Sequence, residues 1–347
     1  VAAFEALKVG QYLFHEEFFS KIWATEYDFP ALRNGWVIQE TLEDARPSGT
    51  QGFWINLRRE KLQDPRVREA IGLMFNFDWS NETLFHGLYE RTDSFWENSP
   101  MQAQGLPEDE ELAVLEQFRD QLPPEIFTEE PFTPPVNSSQ QTDRSAIRAA
   151  SRLLDEAGWT IVDGVRTNAD GEKLTLEFLD DNPAFERIVN PFISNLKRVG
   201  IDARLNMVDA AQMQQRQEDF DFDITPGRLV MGLSPSIELR TLFGSDGATT
   251  PGTLNLAGVS DPVVDGLVEL IIASESREEL EGRVRALDRV LRSMHIWVPN
   301  WFKGSHWIAY WDVFGRPEAK PLYSRGDGTW WFDEEKYERL QAEGALR

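Results

Sequence analysis

Between Lys173 and Pro226 the hydrophobic positions switch repeatedly between two periods. Leu174, Leu176 and Phe178 alternate with Thr175 and Glu177, the two-residue period of a strand. Asn182-Pro183 supplies a cap and a first-turn proline, and Phe185, Ile188, Val189, Phe192, Ile193, Leu196 and Val199 follow at helical spacing up to Gly200. Ile201, Ala203, Leu205 and Met207 predict a second strand, Asp209 caps a polar helix, and Phe220, Phe222 and Ile224 predict a third strand. Strands and helices alternating over short joints predict a parallel βαβ arrangement in an α/β fold. Pro191 falls mid-helix, which predicts a kink there or a helix in two pieces.

The same devices recur along the chain. Residues 1–50 read as the end of a domain: a short helix, an aromatic and acidic segment, strand-like Gly35-Trp36-Val37-Ile38, and a turn at Arg46-Pro47-Ser48-Gly49. Gly52 to Leu57 predicts a strand, and Asp64-Pro65 starts a helix with Val67, Ala70, Ile71 and Met74 on one face. Trp79 to His86 predicts a further helix. Residues 92–142 are acidic and carry seven prolines between Pro100 and Pro135. They predict a surface excursion with one helix near Glu108–Gln121, anchored by Phe95, Trp96, Phe118, Phe127 and Phe132. Asp143 opens a helix ended by Gly158, and Asp163-Gly164 predicts a type I′ hairpin. Gly227 to Pro235 reads as an apolar loop. Asp261-Pro262 and the Ser276/Glu279 capping box open two more helices before the strand-like Ile296-Trp297-Val298-Pro299.

Composition narrows the partners. A net charge of −24 over 347 residues argues against nucleic acid and anionic membrane surfaces, which require a basic face. The absence of cysteine removes disulfides, thiolate metal sites and cysteine nucleophiles. No apolar run reaches membrane-spanning length. The chain opens inside a helical pattern without a starting methionine, which reads as a processed or truncated piece of a longer protein.

Catalytic and metal chemistry find little support. His15, His86, His295 and His306 have no ligand spacing, so no metal and no cofactor are expected. Gly232-Leu233-Ser234-Pro235-Ser236 lacks the closing glycine of a nucleophile elbow. Asp221 and Asp223, read as sharing a strand face, would serve a hydrolase with paired carboxylates, although solvated strand faces are the simpler account. Arg283, Arg285, Arg289 and Arg292 read as a solvated helix face offset by Glu278, Glu279 and Glu281.

Gly52-Phe53-Trp54-Ile55-Asn56-Leu57 followed by Asp64-Pro65-Arg66-Val67-Arg68-Glu69-Ala70 resembles a passage in the dipeptide- and oligopeptide-binding proteins of ABC transporters. Asp163-Gly164, Asp170-Gly171, Leu174-Thr175-Leu176, Gly200-Ile201-Asp202-Ala203, Phe220 to Ile224 and Asn255 extend the resemblance in order. Phe77-Asp78-Trp79 and Asn98-Ser99-Pro100-Met101 are most similar to the YejA-like subgroup of family 5, associated with uptake of peptide antibiotics such as microcins. The resemblance runs from residue 1 to about residue 335. It implies a periplasmic binding protein-like fold (class II), in which two α/β lobes close on a ligand. Residues 53–300 would be one complete lobe with its excursion at about 92–142. Residues 1–52 and 301–347 would be parts of the other, with crossings near Gln51–Leu57 and Trp297–Lys303. It also implies a periplasmic monomer that binds peptides, delivers them to the permease subunits of an importer and does no covalent chemistry; an oligosaccharide ligand for such an importer is the alternative. A chain lacking much of one lobe is expected to fold but to bind weakly.

Family members hold extended peptides partly through main-chain hydrogen bonds. The resemblance places Thr225 to Ser234 at the carboxyl end of the third strand, where open α/β sheets bind ligands. Many oligopeptide-binding members carry an aspartate there that pairs with the ligand ammonium. This chain has no acid in Pro226–Pro235 and carries Arg228 instead, suited to a ligand carboxylate or to an internal ion pair. Trp54, Trp297 and Trp301 at the crossings, with Asn56, Asn255 and Ser234, complete the candidates. Inter-strand core is the simpler account of the tryptophans, and the asparagines serve equally as turn or strand-end caps.

Overall fold

The computed structural model describes residues 2–346. The main strands are β1 (Phe14–Glu17), β2 (Val37–Glu43), β3 (Thr50–Ile55), β4 (Thr175–Asp180), β5 (Asp202–Met207), β6 (Ile224–Leu229), β7 (Trp297–Pro299) and β8 (Ser305–Trp311). The main helices are α1 (Pro65–Leu73), α2 (Arg144–Glu156), α3 (Glu186–Arg198), α4 (Ala210–Glu218), α5 (Pro262–Ile272) and α6 (Arg277–Ser293). Contacts divide the chain into two units. One comprises the chain up to Arg46, Asn81–Glu90 and the chain from Lys303 on. The other comprises Pro47–Ser80 and Arg91–Phe302. Asn81–Glu90 joins the terminal segments because the Asn81 amide donates to Tyr89 O (2.7 Å) and the Tyr89 ring packs against Trp307 at 5.7 Å.

The second unit is built on a five-stranded sheet, order β7-β3-β6-β4-β5. β4 and β5 are parallel, in register from Thr175↔Asp202 to Asp180↔Met207. The caps work as the residue types dictate. Asn182 accepts from Ala184 N, Asp209 from Gln212 N, Asp143 from Ser145 N and Ala146 N, and Asp261 from Val263 N and Val264 N. The 163–164 hairpin has both residues at positive φ (51° and 84°), the type I′ geometry. α3 runs unbroken through Pro191. The discontinuity expected at the proline lies upstream, where a 3₁₀ turn (Pro183–Phe185) gives way to α-helix at Glu186.

The third strand differs from expectation. Phe220 has φ 56° and belongs to the turn that ends α4, where Asp221 N donates to Arg216 O. Phe222 turns into a small core with Leu179 and Met213. The strand starts at Ile224 and continues through Pro226 and Gly227, residues read from sequence as a strand end and a loop. Its parallel pairing with β4 is the single pair Phe178↔Ile224, while its antiparallel pairing with β3 runs from Ile55↔Ile224 to Thr50↔Leu229. Pro226 is tolerated because β4 is no longer beside it and no ladder bond is lost.

Both faces of this sheet are covered. On one, Phe53, Phe75, Phe178 and Phe192 pack ring to ring at 5.2–6.0 Å. On the other, Trp54 and Trp297 stack at 5.7 Å within a core that includes residues of α5 and α6. Each tryptophan lies over a glycine of a neighbouring strand. A Cβ at Gly227 would stand 2.9 Å from the Trp54 ring, and one at Gly52 would stand 2.4 Å from the Trp297 ring. The excursion is pinned by α6. Arg289, 1% exposed, donates to Glu111 (2.6 Å), and Arg292 donates to Phe132 O and Ala103 O. Asp288 accepts from Ser94 Oγ, Phe95 N and Ala103 N. The expectation of a solvated arginine face therefore fails for Arg289 and Arg292. Their partners lie more than 150 residues away in sequence and are invisible to helical spacing.

In the first unit β1, β8 and β2 form an antiparallel sheet, order β1-β8-β2, over a core with Phe4, Leu7, Val37 and Trp311. Among the described residues, no helix is long and apolar enough to cross a membrane.

Candidate functional site

The connection β4-α3-β5 runs to one side of β4 and the connection β5-α4-β6 crosses back to the other, because β5 and β6 flank β4. In an open sheet this reversal opens a crevice at the carboxyl ends of the two strands that part, here β4 and β6. Backbone alternation shows what the crevice exposes. Asn56 N donates to Asp223 O, whereas Ile55 N donates to Ile296 O and Gln51 O accepts from Asn300 N. Trp54, Gly52 and Thr50 thus bond across to β6, while Phe53 and Gln51 turn to β7. Pro226 and Arg228, opposite Phe53 and Gln51, therefore turn their free backbone groups away from β3. With β4 paired only as far as Ile224, the Pro226 C=O and the Arg228 N–H and C=O line an open strand edge.

Side chains on β6 sort the same way. Thr225 and Leu229 are buried, whereas Arg228, and Val230 just beyond the strand, are exposed. Arg228 Nη2 donates to Ser48 O at 3.1 Å, and no carboxylate lies within ion-pair distance among the described residues. The internal ion pair considered for it is absent, in a chain with 59 acids. Ser48 belongs to the turn that reaches β3, and its N–H donates to Glu97 O. Burial pushes the Glu97 carboxyl up to about 7. Ser234 is exposed on the loop after β6.

The other sequence candidates divide. Trp54 is buried, stacked on Trp297, and its indole N–H donates to Gly227 O at 3.2 Å. Asn56 donates to Phe220 O and Phe222 O and accepts from Arg58 N. Asn255 donates to Gly244 O and Val259 O and accepts from Gly258 N and Val259 N. These three are fully committed within the unit, as core and as caps, and present nothing to a ligand. Trp301 is half-buried and stacks on Phe185 at 6.1 Å, in the turn after β4. The structure thus gathers Arg228 and Trp301 near the carboxyl ends of the sheet and withdraws Trp54, Asn56 and Asn255.

Asp221 and Asp223 precede β6, at the end opposite the crevice. Asp221 pairs with Arg59 (2.9 Å) and Arg216 (3.0 Å), and Asp223 with Lys61 (2.8 Å). Burial works against ionisation of Asp221, yet hydrogen bonds from both arginines hold its carboxyl below the usual range. Neutralised this way, the two acids do not form a general acid/base pair. No cluster of three metal-ligating side chains occurs among the described residues.

One residue of the crevice was missed by sequence reasoning. Asp180 ends β4 at 1% exposure. Its Oδ1 accepts from Asn182 N at 2.9 Å, and its Oδ2 is buried without a partner. Burial holds the carboxyl above the usual range. Only its position two residues before the Asn182-Pro183 cap hinted at a strand-end role.

Residues 1–250 match the model for bacterial extracellular solute-binding proteins, family 5 (middle region). The chain belongs to that family. It is 39% identical over 332 residues to the probable peptide-binding protein YejA of Agrobacterium fabrum, which covers 94% of this chain and 54% of the relative. It is 33% identical over 310 residues to the peptidoglycan-binding protein YepA of the same organism, covering 89% of this chain and 50% of that one. The chain therefore spans about half the length of these relatives. The Bacillus subtilis oligopeptide-binding protein AppA, solved with a nonapeptide, superposes with a TM-score of 0.67 at 16% identity, over 96% of this chain and 58% of AppA. The fold is that of the family 5 solute-binding proteins, and the relatives named here are binding proteins.

Proposed function

We propose that this chain is part of a periplasmic solute-binding protein that captures oligopeptides or peptide-like compounds and passes them to the permease subunits of an ABC importer. In this reading its two compact units belong to the two lobes of the family fold. The observation that carries the reading is the open β6 edge with Arg228 beside it. Free N–H and C=O groups in strand register suit an extended main chain. An exposed guanidinium without an acid partner suits a terminal carboxylate. The mode is non-covalent capture, since the Asp221 and Asp223 pair considered for hydrolysis is neutralised. A second reading has the peptide attached to sugar, favoured by the relative named as peptidoglycan-binding.

Isothermal titration of the full-length protein tests this. Peptides with free carboxyl termini should bind stoichiometrically. Arg228→Ala should weaken them about tenfold and leave C-amidated peptides unaffected, the scale of one charge-assisted hydrogen bond. Absence of binding across a broad peptide library, or hydrolysis of the peptides, would overturn the proposal. Tighter binding of murein fragments than of plain peptides selects the second reading.

A further inference from the structure

Beside the edge strand β7 lies a small cavity lined by Arg68 and Glu69 of α1, by Arg91, by Phe132 of the excursion, and by His295 and Pro299. It leaves about 20 Å³ for the centre of a water-sized sphere, room for one water or one monatomic ion and too little for phosphate or sulfate. Its charges run against those of the chain. In a protein with 59 acids against 35 lysines and arginines, three of the four titratable groups here are basic. Neither arginine is paired with a carboxylate among the described residues. Arg68 donates only to main-chain oxygens, Nη1 to Leu62 O and Gln63 O, Nε and Nη2 to Met294 O. The Arg91 guanidinium donates to no protein group among the described residues. Its Nε is buried without a partner, and its only close neighbours of note are the ring faces of Phe75 at 5.2 Å and Phe77 at 5.5 Å. Asp78 and Asp93 act on Arg91, and Asp64 on Arg68, only through space. Those acids bond instead to Asn137 N, Gln102 and Arg66. Burial pushes both guanidiniums down to about 10, so both stay charged at neutral pH. His295, pushed down to about 4 by burial and by Arg68, adds a neutral ring, and Glu69 lies at the rim, 3.8 Å from it.

A buried cation without a counter-charge is costly, and a water, which brings no charge, does not offset it. A monatomic anion does. The carbonyls at the end of α1 do not oppose one, since Ile71 O and Gly72 O already accept from Met74 N and Phe75 N. We propose that this cavity is a chloride site, with the Arg91 guanidinium as its principal ligand and Arg68 as the second positive charge. The ion joins α1, β7 and the excursion around one charge. The site lies across β3 from the β6 edge, so it stands whether or not that edge binds peptide.

Thermal unfolding of the full-length protein at about pH 8, where His295 is neutral in the folded and the unfolded chain alike, tests this. At constant ionic strength, wild type should melt at least about 2 °C higher in sodium chloride than in sodium gluconate, whose anion is too large for the cavity. Arg91→Met keeps an apolar stem over Phe75 and Phe77 and removes the charge, so it should melt at the same temperature in both salts. A wild type indifferent to the salt overturns the inference. So does a variant that keeps the chloride shift, because the anion then acts elsewhere. Should Arg91→Met fail to fold, crystals of the wild type grown in sodium bromide decide the matter. An anomalous peak in contact with the Arg91 guanidinium is expected, and bromide peaks confined to other places overturn the inference.

Discussion

His295 is held where protonation is expensive. Its backbone is left-handed (φ 51°), its ring meets Phe132 edge-on at 4.4 Å, and Arg68 stands nearby. Burial first, and Arg68 second, push its pKa down to about 4. Glu69 lies 3.8 Å away but is itself held up by burial, so it does not rescue the charge. In the unfolded chain the imidazole titrates near its ordinary value of about 6.5. As pH falls from there towards 4, the unfolded state takes up a proton that the folded state refuses, and stability is lost; above 6.5 the residue is silent. The loss amounts to about 3 kcal/mol. Asn tolerates the positive φ, so His295→Asn should flatten that part of the stability-against-pH curve in urea titrations. Parallel curves for the two proteins would refute this. Single residues also show where sequence reading stops. Asn56 just past a strand and Asn255 in a loop are polar whether they face a ligand or the backbone, and only the fold reveals that carbonyls of residues 220, 222, 244 and 259 use them up.

At the scale of elements, caps were legible and long-range pairings were not. Asp64-Pro65, Asn182-Pro183, Asp209 and Asp261-Pro262 act within three residues of themselves, so the local chain suffices to read them. The third strand was misplaced because Phe220, Phe222 and Ile224 alternate like a strand while Phe220 sits in a left-handed turn. Pro226 and Gly227 read as loop because nothing local says that β4 has left β6. α6 failed in the same way, since Arg289 and Arg292 find partners only in the excursion. That arrangement has a measurable consequence. Arg289→Ala leaves Glu111 buried with only the longer pairing to Arg285 at 3.8 Å, which should cost about 3 kcal/mol, whereas replacing both Arg289 and Glu111 by apolar residues of similar volume should cost far less. Limited proteolysis should then cut the single variant within residues 103–132 before any other segment. Equal stability of the single and double variants would count against the buried pair.

At the scale of the whole chain, the strand-helix-strand core and the charge of −24 were readable because one depends on short-range period and the other on composition. Segregation into two units depends on which distant segments meet, so residue patterns alone do not carry it; the resemblance implied a division near residues 52 and 300, and nothing in the sequence placed Asn81–Glu90 on the side of the termini. The units differ in how their sheets are secured. In the five-stranded sheet, β3 has partners on both sides and aromatic cores on both faces. In the three-stranded sheet, β8 is the only strand flanked on both sides among the described residues, and β1 and β2 each have one partner. Opening that sheet breaks fewer ladders and uncovers less apolar surface, so it should open first. Native-state hydrogen exchange on the 347-residue chain reads this directly. The amides of Ile308 and Ala309 in β8 should be protected at least about a hundredfold less than those of Phe53 and Ile55 in β3, a gap of about 2.7 kcal/mol in opening free energy. Equal protection would mean that the two units unfold as one cooperative body, and that the difference in sheet size has no energetic consequence.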